Sequence, residues 1–381
     1  MRAIGVMRLH VRVRPRVLPL RARLFNVLTF LQNFYSGSKR RKAVSSQTGQ
    51  GSRDRPISVD VKSAIHDEKG EVRQPIHQSS LFTMKGIPFV VYAVTSLHVG
   101  MGRSSGVVDL PIQRDPQGFP IIFSSTFKGA LKQYCGAVYN AINDNGRIDC
   151  NKANACCCLF GGEGETDVTS IVSISDLYPI AIPVPSLDRG YVYLTSKYLI
   201  NAVVDLFSAV NYEEGVKLLS SLVSQSGGSQ GEATIGTDIK VPSFKVISSL
   251  LDTLSNLGSI AKKMSEGIAV EEDDSRAVLE IERGIVKYTR NRINLNTKTV
   301  LTGSLWTEEY LPHGSIFAGI MFLNTPRRNK YCNGDKMCDD QCAYQKVNEF
   351  IRNKEFYLNV GGKETIGKGI VKVRILGGNN E

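Results

Sequence analysis

Residues 84–100 read MKGIPFVVYAVTSLHVG. Within them Pro88 to Thr95 is apolar and β-branched, which predicts a first strand. Met84, a lysine and then that strand look like the natural opening of a folded body. Downstream, a Gly-rich loop from Gly100 to Gly118 leads into GFPIIFSS, and Ser124 or Ser125 can cap a helix carrying TFKGALKQYCGAVYNAI. VTSIVSISD (Val168 to Asp176) predicts a second strand. A long insertion with helical and Gly/Ser-rich parts fills roughly 200–310. Beyond it, SIFAGIMFL (Ser315 to Leu323) predicts a strand, Asp340 to Asn353 a helix and IVKVRIL a last strand. With the insertion removed the order is β-α-β, β-α-β, which predicts an α+β protein with a ferredoxin-like or RRM-like sheet. Such open sheets often bind single-stranded RNA, but the fold alone does not assign a function.

Upstream of Met84 the sequence has a different character. The chain has 381 residues, a formal charge of +11 and a mean hydropathy of −0.12. Sixteen of its 47 Lys/Arg but only five of its 36 Asp/Glu fall in residues 1–83, so residues 84–381 are neutral overall. The basic excess therefore says nothing about what the folded body binds. Residues 1–83 are expected to be a disordered tail or sequence ahead of the true start; a transit peptide or basic nucleic-acid arm is the other reading. No apolar run reaches the ~18 residues of a membrane span. Cys156, Cys157 and Cys158 are consecutive, a poor arrangement for a disulfide framework. A reducing cytoplasm is expected, with these three packed as small buried side chains.

Three segments carry candidate chemistry. In TSLHVGMGRSSGVVDLPIQRD (Thr95 to Asp115), glycines permit close approach of a ligand, and Asp109 lies between apolar residues. Such an acid can have a raised pKa and act as a general base, or it can simply cap a turn before Pro111. His98 is equally open between a structural and a chemical role. In SSTFKGALKQY, Lys128 and Lys132 are four apart and share a helix face, able to hold a phosphate or merely face solvent. GGKETIGKG (Gly361 to Gly369) sets Gly361, Gly362, Gly367 and Gly369 beside Lys363 and Lys368. It suits either a phosphate cradle or a tight strand–strand connection, and it matches no P-loop or dinucleotide motif. Cys332, Cys338 and Cys342, with Asp335, Asp339 and Asp340 nearby, could bind zinc, but the C-x5-C-x3-C spacing and the lack of a close histidine argue against it.

Taken in order, LHVGMG, VVDLPIQRD, GFPIIFSSTFKGALK, CLFG, VSISD, GSLWTEEYLP and GGKETIGKGIV resemble the RAMP superfamily of CRISPR proteins. Within it they resemble the family of the fourth subunit of the Cmr effector complex, type III-B. The resemblance runs from about Tyr92 to Val373 and leaves residues 1–83 uncovered. It implies an RRM-like palm with a thumb hairpin in the insertion, near Ser226 to Pro242. It also implies copies stacked in a helical filament on guide RNA with other Cmr subunits, and cutting of complementary target RNA at regular intervals. Magnesium or another divalent cation, assisted by the RNA, is implied as cofactor. By the same resemblance Asp109 is the cleavage residue, acting as base or metal ligand toward attack by a ribose 2′-OH. His98, Glu308 and Tyr310 assist, with Glu309 able to exchange with Glu308. Lys128, Lys132, Gly361, Gly362, Lys363, Gly367, Lys368 and Gly369 grip the guide. The alternatives are a guide-RNA-binding scaffold that does not cut, a guide-processing endoribonuclease with His98 as base, and an RNA-binding protein that acts as a monomer.

Overall fold

The apolar run after Met84 becomes a central strand with both faces buried. The structure, a computed structural model, describes residues 84–104, 106–162, 168–224, 232–235, 239–244, 268–334 and 336–377. The expectations for residues 1–83 and for Asp335 lie outside these. In chain order the first elements are β1 (Gly86–Ala93), α1 (Ser124–Val138), α2 (Asn154–Phe160), β2 (Val172–Ile174), β3 (Tyr178–Ser186) and β4 (Gly190–Ser196). There follow α3 (Lys197–Ala209), α4 (Glu213–Ser224), β5 (Glu232–Ile235), β6 (Ile239–Phe244), β7 (Ile268–Glu271) and α5 (Asp274–Gly284). Next come β8 (Val286–Arg290), β9 (Trp306–Tyr310), β10 (Ile316–Leu323), β11 (Arg327–Arg328), α6 (Lys330–Asn333) and β12 (Met337–Cys338). The chain closes with α7 (Asp340–Phe350), β13 (Glu355–Asn359) and β14 (Ile370–Ile375).

β1 pairs antiparallel with β10 on one side and β14 on the other. Phe89, Val91 and Ala93 enter a core with Phe127 and Leu131 of α1 and Val347 of α7. Val90 and Tyr92 enter a second core with Ile200, Val203 and Phe207 of α3. A strand covered by helices on both faces has no wet side, which is why its sequence is almost continuously apolar. The main sheet runs β13-β14-β1-β10-β3-β4-β7-β6-β5, with β2 beside β10; every pairing is antiparallel except β4 with β7. The chain is therefore α+β with a mainly antiparallel sheet. No helix among the described residues is long and apolar enough to cross a membrane.

The expected strands and helices fall close to β1, α1, β2, β10, α7 and β14, and the structure adds β3 and β4 ahead of the insertion. The cap of α1 is a correction. Neither Ser124 nor Ser125 caps it: the N-cap is Phe123, with no side-chain cap bond, and Asp176 accepts the Ser124 N–H at 2.6 Å. The carboxylate meets the donor-rich helix end from across the fold. In the segment expected to hold a thumb, Ser226 to Pro242, β5 and β6 pair antiparallel, while 226–231 and 236–238 lie outside the described residues.

The cysteine reading is also corrected. Cys156, Cys157 and Cys158 are disulfide-bonded to Cys135, Cys150 and Cys332 respectively, and Cys338 to Cys342. All eight cysteines are thereby paired. The three neighbours sit on α2, and a helix turns successive side chains by about 100°. Consecutive cysteines on a helix therefore point to three different partners, the opposite of their behaviour on an extended chain. The bridges tie α2 to α1, to the loop before it and to α6. Cys332, Cys338 and Cys342 are committed to these bonds.

Candidate functional site

A second, two-stranded sheet carries the candidate residues. β8 pairs antiparallel with β9, with Tyr288 opposite Glu308 and Arg290 opposite Trp306. The other edge of β9 receives the Gly-rich loop: Leu110 donates its N–H to Thr307 O at 3.1 Å, and Glu309 N–H donates to Leu110 O at 3.0 Å. Alternation along β9 separates two groups of side chains. Trp306, Glu308 and Tyr310 share one face; Thr307 and Glu309 share the other.

On the first face Glu308 is fully buried and takes three hydrogen bonds. Trp306 Nε1 donates at 2.6 Å, and the Tyr310 hydroxyl and the Lys363 ammonium donate as well. Burial pushes the Glu308 carboxyl up, but the bonds from Lys363, Tyr310 and Trp306 outweigh it and hold the pKa at about 2. An acid that weak in affinity for protons is a poor general base; what it does well is fix a lysine and a phenol. Burial, and then the bond to Glu308, raise the Tyr310 pKa, so the phenol remains a donor. Lys368 sits 5.4 Å from the Tyr310 ring centroid and 5.5 Å from that of Tyr288.

On the second face Glu309, 4% exposed, accepts the Ile112 N–H at 3.2 Å and Arg114 at 3.1 Å, and Arg114 also reaches Glu282 at 2.8 Å. Gln113 completes the clamp, donating to Thr126 Oγ1 at 2.8 Å and accepting the Phe123 N–H at 2.7 Å. The far end of the loop is thus fastened to β9 and to the start of α1. Asp109 lies at the near end. Its Oδ2 accepts the Thr307 N–H at 2.8 Å, so the carboxylate anchors the loop to β9 rather than capping a turn at Pro111. It is partly exposed, and Val107 beside it is almost wholly in solvent, so apolar neighbours do not enclose it as the sequence suggested.

His98 is buried, with Nδ1 2.8 Å from Glu309 O. Because a carbonyl only accepts, this bond requires a proton on Nδ1. The ring lies 5.3 Å from that of Tyr310. The structure thus brings His98, Glu308 and Tyr310 into one cluster and ties Asp109 to the neighbouring residue of β9.

The residues expected to grip phosphate are placed differently from one another. Gly361 has φ +82°, and a Cβ there would lie 2.4 Å from His98 O. Gly369, at φ +88°, would meet Val360 O at 2.8 Å. These two glycines serve the tight β13–β14 connection, whereas Gly362 and Gly367 are exposed with no such close contact. Lys363, itself left-handed at φ +70°, turns its ammonium inward to Glu308. Lys128 donates to Ser170 Oγ at 3.0 Å and to Val172 O at 3.3 Å. Burial, and then Lys132, lower its pKa. Lys132 shares its face of α1, and Lys368 alone of the loop lysines lies over aromatic rings.

Sequence reasoning passed over Tyr288, Arg290, Trp306, Gln113 and Arg114. The signal for the first two was present: VKYTR alternates with period two inside a segment read as helical and Gly/Ser-rich. Among the described residues no group of three or more His, Cys, Asp or Glu is arranged to hold a metal ion.

Against known proteins, a family model described as the RAMP superfamily matches residues 90–372. A Pyrococcus furiosus protein named CRISPR system Cmr endoribonuclease Cmr4 is 30% identical over 310 residues, covering 77% of this chain and 96% of its own length. The CRISPR system CMR subunit Cmr4 of Saccharolobus solfataricus is 29% identical over 322 residues, covering 76% and 96%. Among solved structures, a chain of the type III-B Cmr-beta complex bound to cognate target RNA, determined by cryo-EM, superposes with a TM-score of 0.59 at 26% identity. It covers 77% of this chain and 98% of its own.

Proposed function

The chain belongs to the RAMP superfamily, and from that premise we propose that it is the backbone subunit of a type III-B RNA-guided effector complex that binds guide RNA and cuts the complementary target. Copies of it stack along the guide with other Cmr subunits, and base pairing rather than protein contacts selects the sequence. The main sheet supports an RRM-like, ferredoxin-like palm: β14, β1, β10 and then β2 and β3 lie side by side, α1 joins β1 to β2 and α7 follows β10. The thumb is better assigned to the β8–β9 arm than to Ser226–Pro242. Its outer part exposes Ile293, Leu295, Val300, Leu301 and Leu305, an apolar wedge suited to interrupting a duplex.

The observation that carries the reading is the placement of Asp109: a partly exposed carboxylate fastened through one oxygen to β9, beside a buried, fully satisfied Glu308 hub. Asp109 takes the proton of a target ribose 2′-OH through its other oxygen. The 2′-oxygen attacks the adjacent phosphorus, the bond to the 5′-oxygen breaks, and that oxygen is protonated from water, leaving a cyclic phosphate and a 5′-hydroxyl. Glu308 holds Tyr310 and Lys363 in place, and Glu309 positions His98 and the loop. Among the described residues a divalent cation finds no cluster of protein ligands, since Glu308 is committed to Lys363 and Asp109 stands as a single carboxylate.

The test is the full chain assembled with guide RNA and partner subunits, wild type beside Asp109→Asn, with labelled complementary RNA and magnesium. Regularly spaced cuts by wild type, lost in the variant while guide binding survives, are expected. Equal cutting by both would move catalysis away from Asp109, and cutting by neither would leave a scaffold.

A further inference from the structure

We propose that the exposed β8 edge of the β8–β9 sheet is a single-nucleotide platform, on which the Tyr288 ring stacks an unpaired base of the target strand while Arg290 and Lys368 hold its flanking phosphates. The proposal rests on the guided-RNA reading above and names the residues that hold the target beside the cut.

Val286, Tyr288 and Arg290 of β8 lie on the same face as Trp306, Glu308 and Tyr310 of β9. Most of that face is closed: Glu308 and Tyr310 are fully buried. Tyr288 is not, at 43% exposed, although Tyr310 backs it in a T-shaped contact at 5.5 Å and Lys368 braces it at a similar distance. An aromatic ring braced from behind and open in front has little freedom left to lose on binding and offers a stacking surface.

The charges near the site divide sharply. Lys363 is paired with Glu308, Arg114 with Glu282 and Glu309, and Lys287 with Glu282. Among the described residues no carboxylate comes within 4.0 Å of Arg290 or Lys368. Arg290 lies opposite Trp306, two pairs along the ladder from Tyr288 and Glu308, so it flanks the same hub. Two uncompensated cations flanking an exposed ring fit a polyanion with flat bases, the combination used for unpaired nucleic acid. Position selects the target strand near the cut. β8 lies along one edge of β9 and Asp109 is bonded to the other, so platform and carboxylate are separated by about two strand spacings, roughly 10 Å.

The experiment measures affinity of guide-loaded complex for target RNA carrying an abasic residue at each successive position, for wild type, Tyr288→Ala, Tyr288→Leu and Tyr288→Phe. Loss of one base stack predicts weakening of about 5- to 150-fold for Tyr288→Ala and Tyr288→Leu, with Tyr288→Phe near wild type. At one abasic position per repeat, adjacent to a cut, all four proteins should converge, which a merely structural defect would not produce. Arg290→Gln and Lys368→Gln should each reduce the salt slope of binding by roughly one. Guide loading equal to wild type reports that each variant is folded; if Tyr288→Ala fails it, Tyr288→Leu carries the comparison. Wild-type binding with no loss in either variant, or a loss that persists at every abasic position, overturns the platform. Failure of wild type to bind guide-paired RNA at all overturns the function reading, and the platform with it.

Discussion

Reducing the disulfides should destabilise the protein far more than breaking any one surface contact, and the Cys158–Cys332 bridge is the largest single contribution. It closes a loop of 174 residues, against 21 for Cys135–Cys156, 7 for Cys150–Cys157 and 4 for Cys338–Cys342. In the chain-entropy account the 174-residue closure contributes about 5 kcal/mol and the 21-residue closure about 3 kcal/mol. Both are upper values, because the reduced unfolded chain is already compact. Reduction suits the purpose better than mutation, since it leaves every atom of the buried sulfurs in place and removes only the cross-link. Cys135 and Cys156 are both inaccessible, so the reduced sample is prepared from unfolded protein. The assay is urea unfolding of matched oxidised and reduced samples. A loss of at least ~3 kcal/mol is expected, a Tm lower by roughly 10 °C, and a steeper urea dependence as the unfolded chain expands. Cys158→Ser combined with Cys332→Ser should reproduce the largest single share of the loss without reductant. Superimposable curves, with all eight cysteines alkylated in unreduced denatured protein, would refute the cross-linked lobe.

Three further outcomes follow from the site. Lys363→Met leaves the buried Glu308 carboxylate without its cation and should cost about 3–5 kcal/mol in chemical denaturation; adding Glu308→Gln should recover part of it. Glu308 has a pKa of about 2 in the fold against 4.5 ordinarily, so its stabilisation is complete above about pH 4.5 and disappears as pH falls toward 2; Glu308→Gln should flatten that acid limb in pH-dependent unfolding. Gly361→Ala puts a Cβ 2.4 Å from His98 O at a positive φ, and should cost more than ~1 kcal/mol and shift the His98 ring resonance in NMR, whereas Gly367→Ala, with open space around it, should cost only its backbone strain.

How far the sequence foretold this depends on whether a feature is local. The β1 run is legible because burial on both faces leaves a continuous apolar signature. β3 escaped notice because YPIAIPVPS carries three prolines, which argue against a strand. Its first half pairs with β10, and Pro183 and Pro185 fall in the half that pairs with β4 instead. Two residues apart, both lack an N–H on the same edge, so the strand forfeits few bonds. The cysteines misled for the same reason in reverse: CCC means little until it is known to be helical. Asp109 and Thr307 are 198 residues apart, and Lys363 and Glu308 are 55 apart. No spacing rule reaches across such distances; only the resemblance brought those segments together, and it could not say which side chains would be buried.

That last point changes what the GGKETIGKG loop is for. As sequence, its glycines and lysines suit a phosphate cradle. In the fold Gly361 exists so that the chain can pass against His98, and Lys363 accepts a left-handed backbone, at a cost of order 1 kcal/mol, to deliver its charge to Glu308. The expense is intelligible if Glu308 must stay ionised while buried, since the bond from Lys363 is the largest of those that hold its carboxyl at about 2 against burial. The loop then supports the site from within, and in the proposed platform the grip on RNA falls to its other lysine, Lys368, together with Arg290 of β8. A lysine-rich loop beside a buried carboxylate thus splits its charges, Lys363 paired with Glu308 to hold the scaffold and Lys368 left over the Tyr288 and Tyr310 rings.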